Sequence, residues 1–173
     1  MTGAALFVFF FIIALSGLFL GWKKHTGGLI LADTHKGRSS DTKDWLPMKQ
    51  LQENAIKYAR EKISPTISTE IDRIDVRPDK GMAKFIFVEG YAGVQVDCTT
   101  GELLHIEVRT SDLIENIHDG SILDRLLATS YGQIKLVYTS IMGVALITFT
   151  VTGFWLWFGP KRFKKQREMR RQN

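Results

Sequence analysis

Hydrophobic positions in this chain fall into two unbroken runs around a patterned middle. The longer run covers residues 136–158 and holds no charged side chain. As a helix it would reach roughly 35 Å, against about 30 Å of bilayer hydrocarbon. A globular helix of that length would carry a polar stripe, and this one carries none. Tyr138 stands near one end, with Trp155, Trp157 and Phe158 at the other. Aromatic rings at both ends suit the two headgroup layers. Gly159-Pro160 is expected to stop the helix. The first run, residues 4–22, is also uncharged and leads into Lys23-Lys24-His25. Its helical length would be roughly 28 Å. Two transmembrane helices are therefore predicted, 4–22 and 134–158. A cleaved signal peptide is the other reading of the first run, since Ala14-Leu15-Ser16 offers a small-x-small site. Against it, no positive residue precedes the run, which stays apolar as far as Trp22. A natural start upstream of Met1 is compatible with the same pattern.

Between the runs the period changes. Leu51, Ala55, Ala59 and Ile63 recur every four residues, and Gln50, Glu53, Lys57, Arg60 and Glu61 take the opposite side. The spacing predicts an amphipathic helix of about four turns, opened at Pro47 and closed by Ser64-Pro65. Strand signals follow, with Ile74 and Val76 inward and an apolar stretch over 82–89. Val94, Val96 and Cys98 then share one face, with Gln95 and Asp97 on the other. Leu104, Ile106 and Val108 alternate with His105, Glu107 and Arg109. Turns at Pro78–Gly81, Gly90–Gly93 and Thr99–Glu102 leave links short enough only for antiparallel pairing. Residues 111–128 read as one or two short helices broken at Gly120-Ser121.

The expected fold class is α+β: two transmembrane helices flanking a small domain in which one helix packs on an antiparallel sheet. The expected divisions are 4–22, first span; 23–45, juxtamembrane connector; 46–110, α+β domain; 111–133, helical connector; 134–158, second span; and 159–173, basic tail. The connector is read as a linker whose Leu29-Ile30-Leu31 either rests on the membrane or pairs as an edge strand. The expected core is Leu51, Ala55, Ala59, Val94, Val96, Leu104, Ile106 and Val108.

Charge adds a direction. Residues 161–173 hold seven basic side chains and one acidic, whereas the rest holds 16 basic and 17 acidic. A cationic cluster at the end of a span marks the cytoplasmic side, and Lys23-Lys24 is the smaller cluster. Both termini are thus expected in the cytoplasm of a bacterial inner membrane, with residues 23–133 outside. The middle segment lacks a basic excess, which argues against nucleic acid. The expected partners are the bilayer, a protein or peptide, and further membrane helices in an oligomer or larger complex.

Candidate chemistry is sparse. His25 and His118 flank the spans on the same side, and two imidazoles can ligate haem or a metal. The competing reading is a packing role for His118 and a solvated His25. No Cys-x-x-Cys-His is present for covalent haem. His105, beside Glu107 and Arg109, reads as solvated. Asp72, Asp75 and Asp79 alternate with Arg73 and Arg77 and read as a paired exposed face. The single Cys98 reads as core rather than nucleophile. No nucleophile elbow, phosphate loop or other catalytic set is found, so no enzyme activity, no catalytic residue and no resident cofactor or metal is expected. Gly17 and Gly21 form a Gly-x-x-x-Gly, a spacing that lets two helix backbones approach.

The run Val96-Asp97-Cys98-Thr99-Thr100-Gly101-Glu102-Leu103-Leu104, placed after a helix and strands, resembles the PepSY domain. Ala14-Leu15-Ser16-Gly17, Ile117-His118-Asp119-Gly120 and Thr150-Val151-Thr152-Gly153-Phe154-Trp155-Leu156-Trp157 extend the likeness to bacterial PepSY-associated transmembrane proteins. The resemblance implies a membrane-anchored accessory or regulator that binds a protein or peptide partner. Isolated PepSY domains are similar to propeptides that inhibit or chaperone peptidases, and Tyr91 is the exposed contact residue expected here. Larger relatives are associated with iron and siderophore uptake, and some resemble haem-bearing reductases. That implies the alternative, an electron-transfer subunit with haem on His25 and His118. This chain departs from those relatives in having two spans, neither of which contains a histidine.

Overall fold

The computed structural model describes residues 2–127 and 129–172, with side chains from 6 to 127, at 129, and from 131 to 159. Two long apolar helices, α1 (Thr2–Trp22) and α5 (Gln133–Gln172), flank the central elements in sequence. Between them come α2 (Met48–Lys62), β1 (Ile71–Arg77), β2 (Met82–Phe87), β3 (Ala92–Asp97), β4 (Leu103–Val108), α3 (Thr110–His118) and α4 (Ser121–Leu126). The chain divides into two compact units, residues 15–115 and residues 1–14 with 116–173.

In the first unit the strands form an antiparallel meander in the order β1-β2-β3-β4. Helix α2 covers one face. Its Leu51, Ala55 and Ala59 meet Ala83, Phe85 and Phe87 of β2, Val94 and Val96 of β3, and Cys98. Side chains as large as Phe85 and Leu51 contribute about 1.5–3 kcal/mol each when fully buried. Ile71, Ile74 and Val76 of β1 pack at the margin of this core.

Two expected core positions are corrected. The register of β3 on β4 shifts at Gln95/Val96, so Val96 lies opposite Leu103 while Gln95 lies opposite His105. Leu104 is the extra residue of that bulge, and Leu103 packs on the core in its place. Val108 points to the helix side, but at the strand end it is 70% exposed.

The second unit contains α4 and α5, with Phe9 and Phe10 of α1 set edge-on against Tyr138 and Phe149. Helix α5 does not stop at Gly159-Pro160; it continues to Gln172. Proline removes a single i→i−4 hydrogen bond, and the Lys, Arg, Gln, Glu and Met residues that follow are strong helix formers. The side chains of the basic cluster lie outside the described residues.

Candidate functional site

The sheet face away from α2, where His105 reads as solvated from sequence, is largely covered. Connector residues 33–38 form a strap across it, held largely by side chains of the sheet. Gln95, fully buried, accepts from the His35 N–H at 3.0 Å. Its Nε2 donates to the Asp33 carbonyl at 2.9 Å and to Glu107 Oε2 at 2.7 Å. The other Glu107 oxygen pairs with Lys84 Nζ at 2.9 Å, with only 4% and 12% of the two side chains exposed. A buried amide and carboxylate persist only with partners, and here each atom has one. Glu107 is thus buried on the face where His105 reads as solvated. His105 is half-buried, its ring centroid 4.7 Å from that of His35.

Asp97 anchors the next stretch of strap. Its Oδ2 accepts from the Arg38 N–H at 2.8 Å, while Oδ1 accepts from the N–H of Thr99 at 2.7 Å and Thr100 at 3.3 Å. One carboxylate therefore shapes the Thr-Thr-Gly turn and clamps the connector. The fit is tight at Gly37, whose N–H reaches the Lys80 carbonyl at 2.8 Å. A Cβ there would fall 2.2 Å from the Gly81 carbonyl oxygen. Leu29-Ile30-Leu31 forms no strand, and the Ile30 carbonyl accepts from the Ser111 N–H at 2.9 Å. The connector therefore covers a face of the sheet and leaves its edge uncovered.

The start of α3 closes the same face. Asp112 bridges Arg109, at 2.8 Å, and Arg73 of β1, at 3.1 Å. The Arg109 side chain is largely covered, with 10% exposed, and its Nη1 has no partner among the described residues. Arg73 also pairs with Asp72 and Asp75, as the charge alternation along β1 suggested.

Both sheet edges have outward groups. The Arg109 N–H donates to the Tyr91 carbonyl at 2.7 Å, so that residue points into the sheet. Antiparallel alternation then turns the N–H and C=O of Ile106 and Val108 outward. No backbone hydrogen bond from another segment reaches them among the described residues. Cys98, wholly buried, has its thiol pushed up to about 11 by burial and by the neighbouring Asp97 charge. It lacks the thiolate character a nucleophile needs.

In the second unit, the Ile117–Gly120 motif acquires a physical role. His118 Nδ1 bonds the Ile13 carbonyl of α1 at 3.2 Å. Asp119 accepts from the Ser121 N–H at 2.9 Å and pairs with Lys135. Burial raises its pKa, but hydrogen bonds from Lys135 and Ser121 outweigh that and hold the carboxyl below its ordinary range. Gly120 has a φ of 79°, and a Cβ there would meet the Tyr138 ring at 2.7 Å. Asp124 of α4 accepts from the Ile134 N–H at 3.0 Å and the Lys135 N–H at 2.7 Å. Those groups lie in the first turn of α5, which would otherwise leave them unsatisfied, so Asp124 acts as a cap from a neighbouring helix. A hydrogen bond from Thr129, with those two backbone bonds, also lowers its pKa despite burial.

The site residues expected from sequence fall in both units. His25 is exposed in a 3-10 turn of the first unit, whereas His118 belongs to the second. Tyr91 is half-buried at a left-handed φ of 53°. Gly17 is half-buried, and a Cβ at Gly21 would meet nothing within 4 Å. Sequence reasoning missed Gln95, Lys84, Asp124 and His35. Polar residues facing inward at alternate strand positions were the available signal for the first two. No group of three or more metal-ligating side chains occurs among the described residues.

Comparison with known proteins agrees with this architecture. Neither the curated proteins nor the solved structures returned a match. The model of one family, described as the PepSY-associated TM region, matches residues 1–173. With apolar helices at both ends, a helix-backed meander between them, and a match along the full chain, this protein belongs to the PepSY-associated TM region family.

Proposed function

We propose that this protein is a non-catalytic accessory subunit of a bacterial inner-membrane system. Both termini lie in the cytoplasm, and residues 23–133 face outside. The domain binds an extended segment of a protein or peptide by adding it as a strand along β4. The outward backbone groups of Ile106 and Val108, beside the exposed Val108 side chain, carry this reading. Unpaired edge groups are templates for an added strand. The edge at β1 alternates Asp72, Arg73, Asp75 and Arg77, and such charges discourage pairing. Tyr91, at the head of β3, would contact the incoming segment. The open face at Gly21, with Gly17 one turn earlier, would accept a further membrane helix. The resemblance to relatives associated with iron and siderophore uptake supports such a system as the setting.

Val108→Pro tests the edge. It removes one outward donor and no ladder bond, so the domain should fold while partner capture from native membranes weakens. A folded Val108→Pro protein that captures its partner at parental strength rules out strand addition at β4.

A second reading is haem, with His118 as one candidate ligand, its ring held by a bond to the Ile13 carbonyl. A carbonyl only accepts, so Nδ1 donates in this bond, which fixes the orientation of the ring. A Soret band in the purified protein, lost in His118→Ala, would select this reading; a spectrum without one would remove it.

A further inference from the structure

We propose that His35 of the strap and His105 of β4 form a binding site for one divalent cation of the zinc, copper or nickel type. The two imidazole centroids are 4.7 Å apart, with 38° between the ring planes. An imidazole nitrogen sits about 2 Å from zinc, so two rings sharing one ion at a tetrahedral angle have centroids roughly 5 Å apart. The observed spacing is close to that of two rings on a shared ion.

The pair is framed rather than incidental. The His35 backbone is held by its bond to Gln95 Oε1, and His105 lies directly opposite Gln95 in the β3–β4 register. The side chain of Gln95 thus holds the His35 backbone, and its main chain pairs with that of His105. The rings themselves are available, His35 exposed and His105 half-buried. Among the described residues, neither ring makes a hydrogen bond to protein. Glu107 is not a third ligand, because Lys84 and Gln95 occupy its two oxygens. With no cluster of three ligating side chains among the described residues, water would complete the coordination shell. Two imidazoles without carboxylates favour zinc, copper or nickel over calcium or magnesium.

A bound ion would staple the strap to the sheet. The strap is the chain that leads from α1 into the domain, so the metal would stiffen that link. This site uses a side chain on the face of β4, not the outward backbone groups of Ile106 and Val108, and involves neither His25 nor His118. Its test does not depend on the identity of any partner.

Zinc chloride is titrated into the detergent-purified full chain by calorimetry. His35→Ala, His105→Ala and Arg60→Ala, an exposed change on α2, are run beside it. One saturable site is expected in the parent and in Arg60→Ala, with affinity at least about tenfold weaker in each histidine variant. Zinc should raise Tm in the first two proteins and in neither histidine variant, because only a bound ion stabilises the folded state. Calcium chloride should do neither. His35→Gln and His105→Gln, closer in size and polarity, are titrated as well, and circular dichroism establishes which variants are folded. No saturable zinc site in the parent overturns the proposal. So does parental affinity in any folded variant at either histidine.

Discussion

Glu107→Ala is expected to destabilise the α+β domain by about 3–5 kcal/mol, the usual cost of removing one partner from a buried ion pair. Lys84 would be left with most of its side chain buried and its charge unpaired, and Gln95 would lose the acceptor at 2.7 Å. The strap hangs from Gln95, so the loss should appear as early proteolysis between residues 31 and 40. The double variant Glu107→Leu with Lys84→Met should recover most of the stability, because apolar residues of similar volume replace a buried pair at little cost. Denaturant melts of the purified variants measure both effects. A Glu107→Ala protein as stable as the parent would show that the network does not hold the strap.

Val96→Asp should have a larger effect. Val96 is fully buried, opposite Ala83 on one side and Leu103 on the other, under the helix face of the sheet. An aspartate there either buries an unpaired charge or takes up a proton, and either route costs several kcal/mol. A small domain has about 5–15 kcal/mol of stability in all. No folded domain is expected, read as complete digestion under proteolysis that the parent survives. Parental resistance would mean that the faces of β3 are assigned the wrong way round.

Much of this architecture was legible because it rests on periodicity. Leu51, Ala55 and Ala59 announce the helix face, and Val94, Val96 and Cys98 announce the strand face it covers. Alternation alone could not place Leu103 and Leu104 correctly. Two adjacent leucines fit either register, and a bulge next to the Thr-Thr-Gly turn decides between them. The strap was illegible for a different reason. Its bonds run from backbone groups at 33–38 to side chains some sixty positions away, such as Gln95 and Asp97. Such bonds leave no local pattern, so a polar stretch with glycine looks like a linker. Without the strap, Gln95, Glu107 and His105 read as a wet face. Asp124 was hidden in the same way, since a cap supplied from another helix has no fixed spacing from the turn it serves. Pro160 misled in the opposite sense, because a helix-stop signal proved weaker than the helix formers beyond it.

Partner binding by the domain, as proposed, depends on which side of the membrane the domain occupies. A reporter active only in the cytoplasm, placed by turns at two positions, measures this directly. One position follows Asn173. The other is Gly90, an exposed hairpin residue whose added Cβ would meet nothing within 4 Å; Gly81 is unsuitable because it lies against Ser39. Activity is expected from the fusion after Asn173 and silence from the insertion at Gly90. An active reporter at Gly90 with a silent one after Asn173 would contradict that orientation.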